Sequence, residues 1–216
     1  MHDTCLPPIK KLGKLLGSSY GFSVRVLTDA TRAAILSAFN DYRKALQPED
    51  SLLVYYAGHG WLDEQADEGY WLPVEAVMDN PVDWISNATI TSAVKAIPAR
   101  HVLVVADSCF SGKLTRGVRV TIRGSGYMER MASKRSRTVM TSGGMEPVLD
   151  VGGGDHSVFA KAFLGVLREN RVSVDTTTLF VAIRRQVMLA ADQTPEYSDI
   201  RKAGHDGGDF LFVRQK

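Results

Sequence analysis

The sequence predicts an α/β fold in which a mostly parallel sheet is covered by helices on both faces. Predicted strands and helices alternate along the chain, which is typical of such sheets. Two runs of β-forming residues, 51–57 and 101–107, are too short to span a membrane, and each leads through small residues to one reactive side chain. The 216 residues, of which 44% are hydrophobic, are enough for a single domain over residues 1–216.

The first half of the chain predicts a helix, a strand and a second helix before the run at 51–57. Apolar residues at helical spacing predict the first helix over 9–16, which Gly21 ends. Alternating residues at 22–27 predict a half-exposed edge strand. Thr28 or Asp29 can cap the second helix, which ends near a proline.

The second half predicts three more helices and two more strands around the run at 101–107. Helices are expected near 91–96, 157–167 and 178–189. Strands are expected at 138–142 and, as a last short element, at 209–213.

His59 and Cys109 follow the two apolar runs and are the candidate catalytic residues. The carboxyl ends of parallel strands meet at one edge of a sheet, so we expect both side chains to face one cleft there, within several ångströms. An imidazole beside a thiol generates the thiolate that acyl transfer requires. Gly58 and Gly60 flank the histidine, and the N–H groups of Gly60 and Cys109 are expected to form an oxyanion hole. Ordinary packing roles for the histidine and the cysteine are the competing interpretation.

Two segments at these strand ends resemble the caspase-like cysteine peptidases, and in particular their bacterial metacaspase-like branch. They are Tyr-Ala-Gly-His-Gly at 56–60 and Asp-Ser-Cys-Phe-Ser-Gly at 107–112, supported by segments 141–144, 156–159 and 208–212. Animal caspases have Gln-Ala-Cys where this chain has Asp-Ser-Cys. The resemblance implies a three-layer caspase-like fold and a cysteine endopeptidase with protein or peptide substrates.

Asp107 is the candidate specificity residue. It precedes Cys109 by two positions, which on a strand places both residues on one face. The competing interpretation is a carboxylate that accepts hydrogen bonds from loop amides. By resemblance, aspartate at this position accompanies cleavage after arginine or lysine, and Glu146 is a candidate second acid in the same pocket.

The segment 113–137 carries eight lysines and arginines and one acidic residue, Glu129. A solvated loop between two strands is its default interpretation. Nucleic-acid binding is disfavoured because interleaved aromatic residues are missing. By resemblance, self-cleavage occurs in this stretch, and a basic loop would suit an acidic pocket.

No cofactor is expected. Four carboxylates at 63–68 predict a solvated loop, and calcium activation remains an open alternative because their spacing matches no EF-hand. His101, His156 and His205 are weaker catalytic candidates, and their spacing predicts no zinc site.

The composition predicts a cytoplasmic protein without a nucleic-acid or membrane partner, and it leaves the oligomeric state open. The net charge is +2. Cys5 and Cys109 are the only cysteines, which suits a reducing compartment. The first twenty residues contain no apolar stretch of signal-peptide length.

By resemblance, a buried strand should precede the first helix and lie between 22–27 and 51–57. Residues 1–8 cannot supply it. A truncated fragment, a tolerated gap and a neighbouring segment that fills the gap are all open. The missing strand makes an inactive caspase-like interaction module the alternative to an enzyme.

Overall fold

The computed structural model describes residues 6–108, 126–143 and 157–215. In chain order the elements are α1 (Leu6–Tyr20), α2 (Arg32–Ala45), β1 (Ser51–Ala57), β2 (His59–Asp63), β3 (Glu68–Leu72), a 3₁₀ turn (Pro81–Asp83), β4 (Ile85–Ser86), α3 (Asn87–Ala96), β5 (His101–Asp107), α4 (Tyr127–Ser133), β6 (Ser136–Thr141), α5 (Val158–Glu169), β7 (Val174–Asp175), α6 (Thr176–Ala190), β8 (Glu196–Asp199) and β9 (Leu211–Phe212).

The main sheet has the strand order β1-β5-β6-β8. The first three strands are parallel and β8 is antiparallel to β6, so the prediction of a mostly parallel sheet is confirmed. Two small sheets accompany it, β2-β3-β4 and β7-β9. The β2-β3 hairpin leaves the carboxyl end of β1 directly and begins with His59.

Two hydrophobic cores cover the two faces of the sheet. Leu103 and Val105 of β5 pack with α1, α5 and α6, whereas Val102 and Val104 pack with α2 and α3. Successive side chains of a strand point to opposite faces, so one apolar strand supplies both cores. All four of these residues are fully buried. The result is a three-layer arrangement with β5 inside the sheet.

The helix predictions are confirmed with shifts at their ends. Gly21, at φ +71°, follows α1 in a left-handed conformation that glycine adopts without strain. The cap of α2 is Thr31, whose hydroxyl oxygen accepts a hydrogen bond from the Ala34 N–H, and not Thr28 or Asp29. Asp29 instead occupies a left-handed turn at φ 47°.

The predicted edge strand at 22–27 is wrong. Its residues form no ladder with another described strand, and Val24 and Val26 are 44% and 40% exposed. Phe22 instead stacks on Phe210, with ring centroids 6.3 Å apart, and its side chain packs against the core that α1, α5 and α6 share. Among the described strands, only β5 pairs with β1.

A groove of about 870 Å³ lies where the strand implied by the resemblance would sit. We call it the β1 groove; residues 25–30 line one side, β1 lines the other, and Phe39 of α2 contributes to it. The described residues therefore leave a gap beside β1, and residues 22–27 do not pair with that strand.

The prediction of one solvated basic loop over 113–137 is wrong for its second half. Residues 113–125 lie outside the described part of the chain, but α4 and the start of β6 occupy most of 126–137. Arg137 is fully buried, and its guanidinium donates hydrogen bonds to the carbonyl oxygens of Ile97, Ala99, Arg100 and Ser136.

Candidate active site

β1 and β5 are parallel and end at the same edge of the sheet, so the backbone segments that lead to the two candidate catalytic residues both leave the sheet there. Ala57 is paired with Asp107, so His59 and Cys109 each follow a paired strand end by two residues. His59 is exposed at the start of β2. Cys109 lies outside the described residues, and its distance from the His59 imidazole stays a prediction.

The end of β5 is held in place by β6. The Ser142 N–H donates to the carbonyl oxygen of Ala106 at 3.0 Å, and the Ser142 hydroxyl lies 3.5 Å from the carbonyl oxygen of Ser108. Ser108 is buried. The backbone that leads into Cys109 is therefore fixed up to the preceding residue.

The Tyr56 side chain contacts the backbone around His59. The tyrosine hydroxyl donates to the His59 carbonyl oxygen at 2.7 Å and accepts a hydrogen bond from the Leu72 N–H at 3.1 Å. The ring stacks on Trp71, with 4.2 Å between ring centroids and 8° between planes. A Cβ at Gly58 would lie 2.6 Å from the hydroxyl oxygen, so only glycine leaves room for this contact.

Asp107 stands at the same edge, with its carboxylate held by two hydroxyl groups. Its Oδ2 accepts hydrogen bonds from Ser157 at 2.6 Å and from Tyr55 at 3.0 Å. Ser157 also caps α5 by accepting the Ala160 N–H at 2.9 Å. The carboxylate also faces the N-terminus of α5, which favours negative charge.

Comparison with protein families decides the classification. The caspase domain family matches residues 5–203. The chain belongs to the caspase domain family. Relatives include metacaspase-1A of Aspergillus terreus, 31% identical over 127 residues, and metacaspase-1A of Aspergillus niger, 32% identical over 130 residues. These matches cover 50% of this chain and 31% of each relative, so the matched region is about a third of the relatives' length.

Solved structures agree with the caspase-like fold. Caspase-1 from Spodoptera frugiperda has a TM-score of 0.64 at 16% identity, and the match covers 92% of this chain and 79% of that one. A protein from Geobacter sulfurreducens has the same TM-score at 17% identity, covering 94% of this chain and 87% of the other. Both the predicted resemblance and the predicted fold class are confirmed.

Two of the weaker histidine candidates of this caspase domain lie away from the carboxyl edge. His101 begins β5 at the opposite edge, where its ring contacts Ser136 and the Ala132 carbonyl oxygen. His205 Nδ1 accepts the Arg137 N–H at 3.1 Å. Burial lowers the pKa of both imidazoles, so both favour the neutral form. Their contacts assign them to packing of α4 and β6.

The predicted acidic loop is the turn of the β2-β3 hairpin. Asp63 accepts hydrogen bonds from the Gln65 and Ala66 N–H groups, and Glu68 accepts one from the Ala88 N–H. Within the described ranges no group of three histidine, cysteine or acidic side chains could hold a metal ion. Calcium activation stays untested.

Several site predictions fall on residues outside the described ranges. They are Cys109, Glu146, His156 and Cys5.

No helix within 6–108, 126–143 and 157–215 is long and apolar enough to cross a membrane. The sequence does not predict the contacts that the Tyr55, Tyr56 and Ser157 hydroxyl groups make at this site. The available signal is that each of these residues lies within two positions of the end of a predicted strand or helix.

Proposed function

We propose that residues 1–216 form a single cysteine endopeptidase domain that cleaves peptide bonds after arginine or lysine. The observation that carries the proposal is the pairing of Ala57 with Asp107, since it brings the backbone leading to His59 and to Cys109 out of the sheet side by side. Membership in the caspase domain family supports a cysteine peptidase acting on proteins or peptides.

The proposed reaction proceeds through an acyl-enzyme. The Cys109 thiolate attacks the carbonyl carbon of the scissile bond, and the N–H groups of Gly60 and Cys109 stabilise the developing oxyanion. The C–N bond then breaks and the His59 imidazolium protonates the leaving amine. Water, deprotonated by His59, attacks the thioester, and the carboxylic acid product leaves as the thiol is restored.

Asp107 is the proposed determinant of basic specificity. Its carboxylate is fixed by Tyr55 and Ser157 at the sheet edge where the substrate must lie. A fixed carboxylate attracts the guanidinium or ammonium group of the residue before the cut bond. The Tyr55 and Ser157 hydroxyl groups are neutral donors, which orient the carboxylate without removing its charge.

An inactive interaction module is the second candidate. The observation in its favour is the β1 groove, which leaves the outer edge of β1 without a described strand beside it. An interaction module needs no hydrolysis, so turnover discriminates the two candidates.

The test is hydrolysis of a matched fluorogenic peptide series that differs only in the residue before the cut bond: arginine, lysine, aspartate or leucine. We expect turnover of the arginine and lysine peptides, none for Cys109→Ala, and unchanged turnover for Cys5→Ala. Absence of turnover in the unaltered chain, or its survival in Cys109→Ala, would refute the proposed enzyme.

A further inference from the structure

We infer that Tyr56 is a positioning residue whose hydroxyl group aims the Gly60 N–H into the oxyanion hole. The inference rests on the proposed function, because it assigns a task to a peptide group that this function uses. It also makes a separate claim about backbone geometry, which can be measured without any substrate.

The hydroxyl group of Tyr56 lies between two antiparallel strands. His59 of β2 is paired with Leu72 of β3. At this pair the Leu72 N–H donates to the Tyr56 oxygen at 3.1 Å, and the Tyr56 hydroxyl donates onward to the His59 carbonyl oxygen at 2.7 Å. The Leu72 carbonyl oxygen, at 3.2 Å, is a second acceptor within reach. A side chain from β1 thus bridges the first pair of the hairpin.

The His59 carbonyl and the Gly60 N–H belong to the same peptide group. A peptide group is planar, and in its trans form the C=O and N–H bonds point in opposite directions. The described backbone contains no cis peptide bond. Holding the His59 oxygen toward Tyr56 therefore turns the Gly60 N–H to the opposite side of β2. A hydrogen bond to the carbonyl oxygen also polarises the group and strengthens its N–H as a donor.

The ring that carries this hydroxyl is itself held firmly. It stacks on Trp71 at 4.2 Å, and Trp71 is only 3% exposed. On the other side the backbone of Gly58 approaches the hydroxyl so closely that a Cβ would meet it at 2.6 Å. An oxyanion donor contributes most when it is fixed before the reaction, and this packing supplies that rigidity.

A purely structural role for Tyr56 predicts different behaviour. If the hydroxyl only stabilised the hairpin, its loss would lower stability and disturb His59 and Gly60 together. A role in aiming one N–H affects only steps in which a substrate oxygen gains negative charge. Hydrolysis and hemithioacetal formation with a peptide aldehyde include such a step, whereas alkylation of the thiolate by iodoacetamide, which releases iodide, does not.

The experiment compares Tyr56→Phe with Tyr70→Phe in the full chain. Phenylalanine keeps the ring and removes only the oxygen. Tyr70 lies in the same hairpin, and its ring packs edge-on against Trp84 at 5.4 Å, which makes it the matched control. Three measurements follow the chemistry: kcat and KM on an arginine peptide, the inhibition constant of an arginine aldehyde, and the rate of alkylation by iodoacetamide. The amide resonance and hydrogen exchange of Gly60 follow the backbone.

For Tyr56→Phe we expect kcat to fall about tenfold or more at unchanged KM, and aldehyde affinity to fall by a similar factor. Alkylation should stay within about twofold, while the Gly60 amide resonance and its exchange rate both change. Tyr70→Phe should change none of these. An unchanged Gly60 amide, or equal losses in aldehyde binding and alkylation, would overturn the inference. A wild-type chain without turnover would overturn the proposed function instead, and the Gly60 amide would still decide the role of Tyr56.

Discussion

The Tyr55 hydroxyl of β1 donates a hydrogen bond of 3.0 Å to the Asp107 carboxylate of β5. The Tyr55 ring packs edge-on against Phe163 of α5, with ring centroids 5.7 Å apart. Ser157, at the start of the same helix, supplies the second hydroxyl bond. Two strands and a helix therefore fix one carboxylate at the edge where the candidate catalytic residues leave the sheet.

Asp107→Asn should lower kcat/KM for arginine and lysine peptides by about a hundredfold or more. Removing one partner of a buried charge pair costs about 3–5 kcal/mol, and that loss appears directly in kcat/KM. Asparagine keeps the shape and can still accept from Tyr55 and Ser157, so we expect the melting temperature to change little. The measurement is steady-state kinetics on the peptide series, beside thermal unfolding of each protein. A library cut after aspartate or apolar residues would contradict the basic specificity and leave the dyad untouched.

Arg137→Met should destabilise the protein by about 3 kcal/mol or more. The buried guanidinium donates to four carbonyl oxygens, and a buried acceptor without a donor costs about 1–3 kcal/mol. Burial lowers the pKa of Arg137 to about 10, so the group is still charged at neutral pH. Urea unfolding measures the effect. Arg185→Met, at an exposed position on α6, is the control and should shift stability by less than about 0.5 kcal/mol. Equal losses of unfolding free energy in the two variants would show that the contacts of Arg137 with the four carbonyl oxygens contribute little to stability.

Acidification should destabilise the protein partly through His205. Its Nδ1 accepts the Arg137 N–H, which a protonated ring cannot do. Burial lowers the pKa of His205 in the folded chain, whereas the unfolded chain titrates near pH 6.5. Between the folded pKa and about pH 6.5, the unfolded state therefore binds more protons at His205 than the folded state does. The contribution of neutral His205 to stability is complete above about pH 6.5 and is lost as the pH falls through the folded pKa.

His205→Asn isolates this contribution, since asparagine offers an acceptor that does not titrate. The free energy of unfolding is measured in urea at pH 7.5 and at pH 5. We expect the wild-type protein to lose more stability between these values than the variant loses. The same loss in both proteins would exclude His205 as a source of the acid sensitivity.

The β1 groove predicts self-association of the isolated chain. An open strand edge beside an apolar groove is a template for pairing with another chain. Val26 lines the groove and is 40% exposed, so Val26→Lys should reduce association by placing a charge there. Val172→Lys is the control, because Val172 is 70% exposed and does not line the groove. This variant adds the same charge outside the groove and should leave association unchanged. Sedimentation velocity over a concentration series measures the effect; a concentration-independent monomer in the wild-type chain would contradict the prediction.

The elements that the sequence predicts well are those with strong local periodicity. The apolar runs of β1 and β5 and the amphipathic pattern of α5 carry their structure in residues a few positions apart. The same pattern can mislead: residues 22–27 alternate like a strand, but a strand also needs a partner, and Phe22 packs elsewhere.

Elements that depend on distant contacts were missed. The β2-β3 hairpin has charged residues on both sides of its turn, which hides its strands, and β8 (Glu196–Asp199) becomes a strand only by pairing with β6. Arg137 has no local signal that separates it from solvated arginines, because its carbonyl partners come mostly from 97–100. At the site, His59 and Asp107 were predictable as strand ends, whereas the Tyr56 bridge requires the folded hairpin.

The most direct test of a His59–Cys109 peptidase site is to find which residue an activity probe labels. The probe is an arginine peptide that carries a thiol-reactive acyloxymethyl ketone. After reaction with the intact chain, peptide mass mapping locates the adduct. We predict an adduct on Cys109 and none on Cys5, with slow labelling in His59→Ala and selective slowing of this basic probe in Asp107→Asn. Labelling of Cys5, or labelling of Cys109 at the same rate with and without His59, would contradict a His59–Cys109 peptidase site.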